Sequence, residues 1–192
     1  MASAIEPYEL PESLTIAGRE YEIRTDFRDV LNILTAFRDP DMEEREKIYV
    51  CLFVLFVDFE ELPSEDYDAA FEAASTFIDC GREWKDSPRK SPRVMDWEQD
   101  GSLLFPAINK VAGREVRTVD YMHWWTFMGC YMEISDGIFS TILSIRQKRA
   151  KGKKLEKWER EFWEANKDIC VLKKKISREE QEERDRLKAL LS

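Results

Sequence analysis

The chain has 192 residues and a formal net charge of −9, and 43% of its residues are hydrophobic. This length suits a single domain with a sizeable core, and the apolar content is too high for a disordered chain. The longest continuous apolar run, residues 48–57, is far shorter than the roughly 20 residues of a membrane-spanning helix. No secretory signal is visible at the N-terminus, so we expect a cytoplasmic protein with reduced cysteines.

Charge is distributed unevenly along the chain. Residues 1–83 carry 7 basic and 21 acidic side chains, whereas residues 146–178 carry 13 basic and 5 acidic ones. Two Ser-Pro steps within residues 84–93 indicate an exposed linker. These shifts divide the chain into an acidic segment 1–83, the linker 84–93, a helical segment 94–178 and a charged C-terminal helix 179–192. The segments form one compact domain or two tightly associated halves.

The first segment begins with a predicted β-hairpin. Residues 14–16 and 21–23 alternate apolar and polar side chains around Ala17-Gly18, which favours a tight turn. Thr25 or Asp26 is predicted to cap a first helix that ends near Phe37.

Two further helices are predicted before the linker. The first spans residues 41–59, and because residues 48–57 are apolar on every side, we expect other elements to enclose it. The second begins at Pro63-Ser64 and ends at Gly81, since glycine suits a C-terminal cap.

The chain after the linker is predicted to be helical throughout. One helix spans residues 99–111 and ends at Gly113, and the next starts at Thr118 or Asp120. A break at residues 135–137 precedes a helix that leads into the basic region. Further helical patterns are formed by Leu155, Trp158, Phe162 and Ile169, and by the capping-box sequence Ser177-Arg178-Glu179-Glu180. The predicted fold class is therefore mainly α, a multi-helix bundle with a small N-terminal β-hairpin.

No catalytic constellation is recognisable in the sequence. His123 lies beside two tryptophans, which favours a packed structural residue over a general base. Asp96, Glu98 and Asp100 are not accompanied by a glycine-centred loop, so a helix entry is favoured over a cation site. The 4 cysteines form no close-spaced pair, and a zinc site is not expected. We predict a protein that is not an enzyme and has neither a cofactor nor a metal.

A basic stretch at residues 146–160 raises the question of nucleic-acid binding, because its lysines and arginines could neutralise phosphates. Trp158 and Trp163 could stack on bases. The acidic balance of the whole chain argues against this function. The favoured interpretation is a solvated connector, or a surface that pairs with the acidic half of a neighbouring copy.

The helix around residues 122–134 carries the main candidates for partner contact. It has little polar surface, which is typical of the centre of a bundle or of an interface. The residues predicted to contact a partner or a second copy are Trp124, Trp125, Phe127, Met128 and Tyr131, with Arg146, Lys148 and Arg149 as an electrostatic rim. Ordinary core packing is the open alternative for the first five.

Four ordered motifs occupy the second half of the chain. They are Met95-Asp96-Trp97-Glu98-Gln99-Asp100, Leu104-Phe105 with Ile108, Tyr121-Met122-His123-Trp124-Trp125-Thr126-Phe127, and Phe139-Ser140-Thr141-Ile142 with Ile145-Arg146. In this combination they resemble the gene-product-fifteen family of bacteriophage proteins, encoded in the tail-morphogenesis region. The resemblance is good over residues 94–149, and the acidic half agrees in its hairpin-then-helices layout. The family usually has Phe and Ala where Trp97 and Gly101 stand.

The resemblance implies a tail assembly chaperone. Such proteins are small and cytoplasmic, coat the long tape-measure protein while the tail tube polymerises, and are then shed from the virion. The implied partners are the tape-measure protein and other tail proteins, and the family brings no catalytic residues. Two alternatives stay open. One is a structural virion component such as a tail connector or completion protein, and the other, less favoured, is a nucleic-acid-binding accessory protein.

Overall fold

The computed structural model describes residues 9–82 and 92–191. Within these ranges the chain forms nine α-helices and one two-stranded antiparallel sheet at the N-terminal end. The fold class is therefore mainly α with a small N-terminal hairpin, as the sequence predicts.

The hairpin consists of β1 (Ser13–Ile16) and β2 (Arg19–Glu22), joined by a two-residue loop. Ala17 and Gly18 both have positive φ, 50° and 85°, as a type I′ turn requires. The first helix, α1 (Phe27–Ala36), follows directly. The predicted cap is confirmed, because the Asp26 carboxylate accepts the Arg28 N–H at 2.9 Å.

Helix α2 (Glu44–Leu55) is shorter at both ends than the predicted range 41–59. Its C-terminus is set by tertiary structure, because the chain beyond it turns extended and the Val57 N–H donates to the Glu22 carbonyl at 3.0 Å. A 3₁₀ turn, Phe59–Glu61, replaces the predicted last turn of the helix.

The predicted enclosure of α2 on all sides is wrong. Cys51, Leu52 and Leu55 are fully buried, but Tyr49 and Phe53 are 50% and 57% exposed. The helix therefore buries one face in the core and presents an aromatic pair, four residues apart, on another.

A 3₁₀ turn (Ser64–Asp66) leads into α3 (Tyr67–Ile78). The helix ends at Ile78, earlier than the predicted Gly81. The left-handed turn that follows contains Cys80, with a φ of 57°, and Gly81, with a φ of 72°, and the Gly81 N–H donates to the Thr76 carbonyl at 2.8 Å. Most of the predicted exposed linker 84–93 lies outside the described residues.

Helix α4 (Gly101–Ala112) ends as predicted at Gly113, whose φ is 68°. The next helix, α5 (Trp124–Met132), starts later than the predicted Thr118 or Asp120. The reason is again tertiary. The segment before α5 lies beside the start of α1, with the Met122 N–H donating to Asp26 at 3.1 Å and an isolated β-bridge between the caps of the two helices.

The remaining helices are α6 (Ile138–Ala150), α7 (Lys157–Ala165), the short α8 (Lys167–Cys170) and α9 (Arg178–Leu191). The helical pattern predicted from Leu155, Trp158, Phe162 and Ile169 does not form one buried face. Leu155 is buried ahead of α7, whereas Trp158 on α7 is 53% exposed.

The start of α9 agrees with its predicted cap. The Ser177 hydroxyl accepts the Glu180 N–H at 3.2 Å. Every described side chain on this helix, from Arg178 to Leu190, is exposed.

One hydrophobic core contains buried residues from the hairpin and from α1 to α6, so both the 1–83 and the 94–178 segments contribute to it. At its centre the rings of Phe27 and Phe127 stack in parallel with their centroids 4.5 Å apart. In the described parts of the chain, each helix is too short or too polar to cross a bilayer.

Candidate functional site

Two of the predicted partner-contact residues are core residues. Trp124 is 1% exposed and Phe127 is fully buried. The Trp124 indole Nε1 donates to the Ile78 carbonyl at 2.8 Å, which satisfies its one polar atom inside the protein. The core-packing alternative holds for both, and neither side chain can reach a partner without unfolding.

Trp125, Met128 and Tyr131 are partly buried against the same core. The Trp125 indole Nε1 donates to the Phe77 carbonyl at 2.9 Å, and the Tyr131 ring lies 5.4 Å from that of Trp97. These contacts stabilise the packing of α5 against its neighbours, and the three side chains remain partly exposed.

Arg146 was predicted at an electrostatic rim, but its side chain is buried. It forms a bidentate ion pair with Asp100, at 2.7 and 2.9 Å. Its remaining N–H groups donate to the carbonyls of Val94, Ile169 and Cys170 at 2.7 to 3.0 Å. All five guanidinium N–H groups are thereby used, and Arg146 fastens α6 to the start of α4 and to α8.

The other two basic candidates lie at the surface and have partners within the chain. Lys148 contacts the buried carboxylate of Glu159 at 2.5 Å. The guanidinium of Arg149 stacks 4.1 Å above the ring of Trp163. The basic stretch therefore joins α6 to α7, and part of its charge is already neutralised.

The acidic motif at residues 96–100 is more than a helix entry. Asp96 is 3% exposed and accepts N–H groups from Glu98 and Gln99, and its carboxylate also pairs with Arg38 at 2.9 Å and with Arg93. Burial alone would raise the pKa of Asp96, but the hydrogen bonds from Gln99 and Arg38 outweigh it and the pKa lies below its usual value. The motif is a buried charge network that connects α1 to the second half of the chain.

His123 has a structural role, as its aromatic neighbours predict. Its Nδ1 accepts the Trp125 N–H at 3.0 Å and caps α5, while Nε2 donates to the Pro11 carbonyl at 3.1 Å. Burial lowers the pKa of His123, opposed in part by the Pro11 contact and by the charge of Glu12. The neutral imidazole is therefore the form that the fold selects.

Burial disfavours the thiolate form of Cys51 and Cys80. Burial raises the pKa of Cys51 to about 12 and that of Cys80 to about 11, so both stay protonated near neutrality. Within residues 9–82 and 92–191, no three His, Cys, Asp or Glu side chains lie close enough together to hold a metal ion.

An open groove lies elsewhere, beside the C-terminal half of α2. A groove of about 520 Å³ opens between α1, α2 and the 3₁₀ turn that follows α2. We call it the α2 groove, and its lining residues are Arg24, Asp29, Asn32, Phe53, Val54, Val57, Asp58, Phe59, Glu60 and Glu61.

One wall of the α2 groove is aromatic. Phe53 and Phe59 lie edge to face with ring centroids 5.8 Å apart, and Tyr49 contacts both rings at 6.2 and 5.1 Å. Tyr67 extends the cluster, 5.5 Å from Phe59. Exposed rings packed on one another form a rigid apolar platform, which is the usual anchor of a protein interface.

The rim of the groove is acidic. Within the described part of the chain, the carboxylates of Asp58 and Glu60 have no hydrogen-bond or salt-bridge partner, and Glu61 pairs with Arg19. Burial and the neighbouring Asp26 raise the pKa of Asp29, against the pull of Arg24 and Arg28. An apolar floor with free carboxylates at its edge favours a cationic, amphipathic ligand.

Arg24 shapes the α2 groove by capping the C-terminus of α2. Its guanidinium donates to the carbonyls of Val54 and Phe56 at 3.0 and 2.8 Å, which caps the C-terminus of α2. This cap allows the chain to leave the helix early and to place Phe59 beside Phe53. The i, i+4 spacing of Tyr49 and Phe53, away from the core positions 51, 52 and 55, was the available sequence signal for this site.

A second groove, of about 470 Å³, is basic and is lined in part by Arg38, Arg93 and Lys175. Its cations are already engaged, since the two arginines bind Asp96, Lys175 binds Glu98, and Lys174, which also lines the groove, pairs with Glu180 at 3.5 Å. The α2 groove, with free acids and exposed rings, is therefore the stronger binding candidate.

The structure is that of a helical protein with one core. Its most distinctive sequence motifs are internal, and the α2 groove at its surface could accommodate a helix. A family model described as Bacteriophage Gp15 protein matches residues 8–172. The match covers most of the chain, which therefore belongs to the bacteriophage Gp15 family. Among curated proteins and among solved structures, nothing matches.

Family membership confirms the resemblance read from the four motifs. It indicates a phage structural or morphogenesis protein and points to other phage proteins as partners. Helix α9 lies beyond the matched residues 8–172.

Proposed function

We propose that the chain is a tail assembly chaperone that binds helical segments of the phage tape-measure protein in the α2 groove. In this proposal it is not an enzyme, and it acts in the host cytoplasm before the tail is complete. A tape-measure protein is long, largely helical and partly apolar, so its apolar faces need cover until the tail tube encloses them.

The observation that carries the proposal is the exposed aromatic cluster in an acidic groove. Phe53 is 57% exposed although it belongs to a packed set of rings, and exposed rings are costly in a protein that has no partner. A helix with Leu, Ile or Met anchors would cover Phe53 and Phe59, and Lys or Arg beside those anchors would meet Asp58 and Glu60. Family membership supports a phage protein as the occupant.

The test is co-purification of the tagged chain with the tape-measure protein of the same phage. Phe53→Ala should weaken that binding by at least about tenfold while the protein stays folded, as expected for an interface anchor. Trp158→Ala is a matched control, because Trp158 is 53% exposed but lies on α7, outside the groove. Equal losses in the two variants, or none in either, would contradict the groove assignment.

Mass spectrometry of finished virions separates the chaperone from the structural alternative. A chaperone is recovered with the tape-measure protein from assembling cells and is missing from purified particles. Presence in particles at a fixed stoichiometry would instead make the chain a connector or completion protein. Binding to nucleic acid, with an affinity that falls steeply as salt is added, would favour the accessory-protein alternative.

A further inference from the structure

Helix α9 makes little contact with the rest of the protein. It has 14 residues, and none of its described side chains is buried. It is attached to the rest of the chain near its first residue, where the Arg178 N–H donates to Asp41 at 2.9 Å. A helix of this length is marginally stable on its own in water, so packing against a partner would be needed to hold it.

The C-terminal half of α9 has an apolar stripe with a cationic border. Leu187 and Leu190 are three residues apart on one face and are 54% and 82% exposed. Arg184 and Arg186 flank them, while Lys188 already pairs with Asp185 at 4.0 Å. Cations near a helix C-terminus also complement the helix dipole, but that does not account for two exposed leucines beside them.

We propose that the C-terminal half of α9 binds in the α2 groove of a second copy of this chain. Leu187 and Leu190 would pack on Phe53 and Phe59, and the arginines of α9 would face the free carboxylates of Asp58 and Glu60. Leu187, Leu190 and Phe53 are each more than half exposed. Within the described residues the side chains of Asp58, Glu60, Arg184 and Arg186 have no ion-pair partner, so these carboxylates and guanidinium groups have opposite charges available for each other.

The inference rests on the proposed function only for its choice of groove. Self-association through α9 would in turn affect the binding of the tape-measure protein. The α9 helix of a second copy and a tape-measure helix would compete for the same rings. The aromatic cluster would then be covered in the free protein and uncovered when a partner displaces α9.

Sedimentation velocity of the full-length protein across the micromolar range tests the inference. We expect the wild type to associate with rising concentration, and we expect Leu187→Asp/Leu190→Asp and Phe53→Ser each to be monomeric. A mixture of the two variants should form a heterodimer, because one retains an intact groove and the other an intact α9. A wild type that stays monomeric, or two variants that do not combine when mixed, would overturn the inference.

Charge reversal gives a second readout that does not depend on apolar substitutions. Asp58→Lys/Glu60→Lys should abolish self-association, and so should Arg184→Glu/Arg186→Glu. Mixing these two variants should restore heterodimers, whose affinity falls with added salt. Reversed variants that associate as well as the wild type would refute the docking orientation.

The outcomes also separate this inference from the proposed function. A monomeric wild type that still binds the tape-measure protein through Phe53 would overturn the inference alone. Self-association through α9 without any tape-measure binding would support the inference and contradict the chaperone function.

Discussion

Replacement of Arg146 by methionine should destabilise the protein severely. The side chain is 5% exposed and its partner Asp100 is 1% exposed, so the variant leaves a buried carboxylate without a counterion. Removal of one partner from a buried ion pair costs about 3–5 kcal/mol. Three carbonyl groups also lose their guanidinium donor. Since a domain has only about 5–15 kcal/mol of stability, the expected loss is a large share of the total.

The assay is urea denaturation followed by far-UV circular dichroism, with the free energy of unfolding taken from the linear extrapolation. Arg149→Met is the matched control. It removes a guanidinium from the same helix, but one that stacks on Trp163 at the surface and is worth about 1 kcal/mol or less.

A second substitution identifies the cause. Asp100→Asn in the Arg146→Met background should recover part of the loss, because it removes the stranded charge and keeps an oxygen for the Asp96 N–H, which Asp100 accepts at 2.9 Å. If Arg146→Met costs less than about 1 kcal/mol, the range of a surface pair, the argument for a buried structural network fails.

Three further predictions concern stability. The fold selects the neutral form of His123, because the pKa of its imidazole is lower in the folded than in the unfolded protein. Its contribution to the free energy of unfolding should therefore be complete above about pH 6.5, the pKa of an unfolded histidine, and should be lost as the pH falls from there through the folded pKa. Unfolding free energies measured from pH 8 to pH 5 should show this slope, and His123→Asn should flatten it; an unchanged slope would assign the titration elsewhere. Ala17→Gly should stabilise the hairpin by about 1 kcal/mol, because the φ of Ala17 is 50°. Gly18→Ala should destabilise it, because the φ of Gly18 is 85°, although there is open space around the position. Thermal melts in which both substitutions change the stability in the same direction would contradict the turn geometry. Phe127→Ala should cost about 3–5 kcal/mol in urea denaturation and Phe53→Ala less than about 1 kcal/mol, and similar losses would refute their assignment to core and surface.

The features predicted correctly from sequence are those with local causes. The hairpin follows from Ala17-Gly18 between alternating residues, the start of α1 from the Asp26 side chain, and the end of α4 from Gly113. In each of these the deciding interaction is contained within a few neighbouring residues, so a sequence pattern is sufficient to find it.

The features missed from sequence have distant causes. Helix α2 ends early because Arg24 caps it and Glu22 pairs with the chain beyond it, contacts across about thirty residues. Arg146 stands first in a basic stretch, and its acceptors come from two distant segments of the chain, residues 94–100 and 169–170. Neither hydropathy nor charge along the sequence distinguishes a buried guanidinium of this kind from a solvated one.

The motifs that carry the family resemblance build the interior. Asp96 and Asp100 receive arginines from two halves of the chain, Trp124 and Phe127 fill the core, and Arg146 joins three segments. Substitution of any of these residues should lower stability and partner binding together, because the fold itself is lost. The α2 groove lies in the acidic half, which the family model also matches, but its exposed ring Phe53 can change without loss of the core. Internal motifs of this kind therefore account for the fold, whereas under the proposed function the choice of partner depends on surface residues such as Phe53 and its acidic rim, which can be substituted without loss of the core.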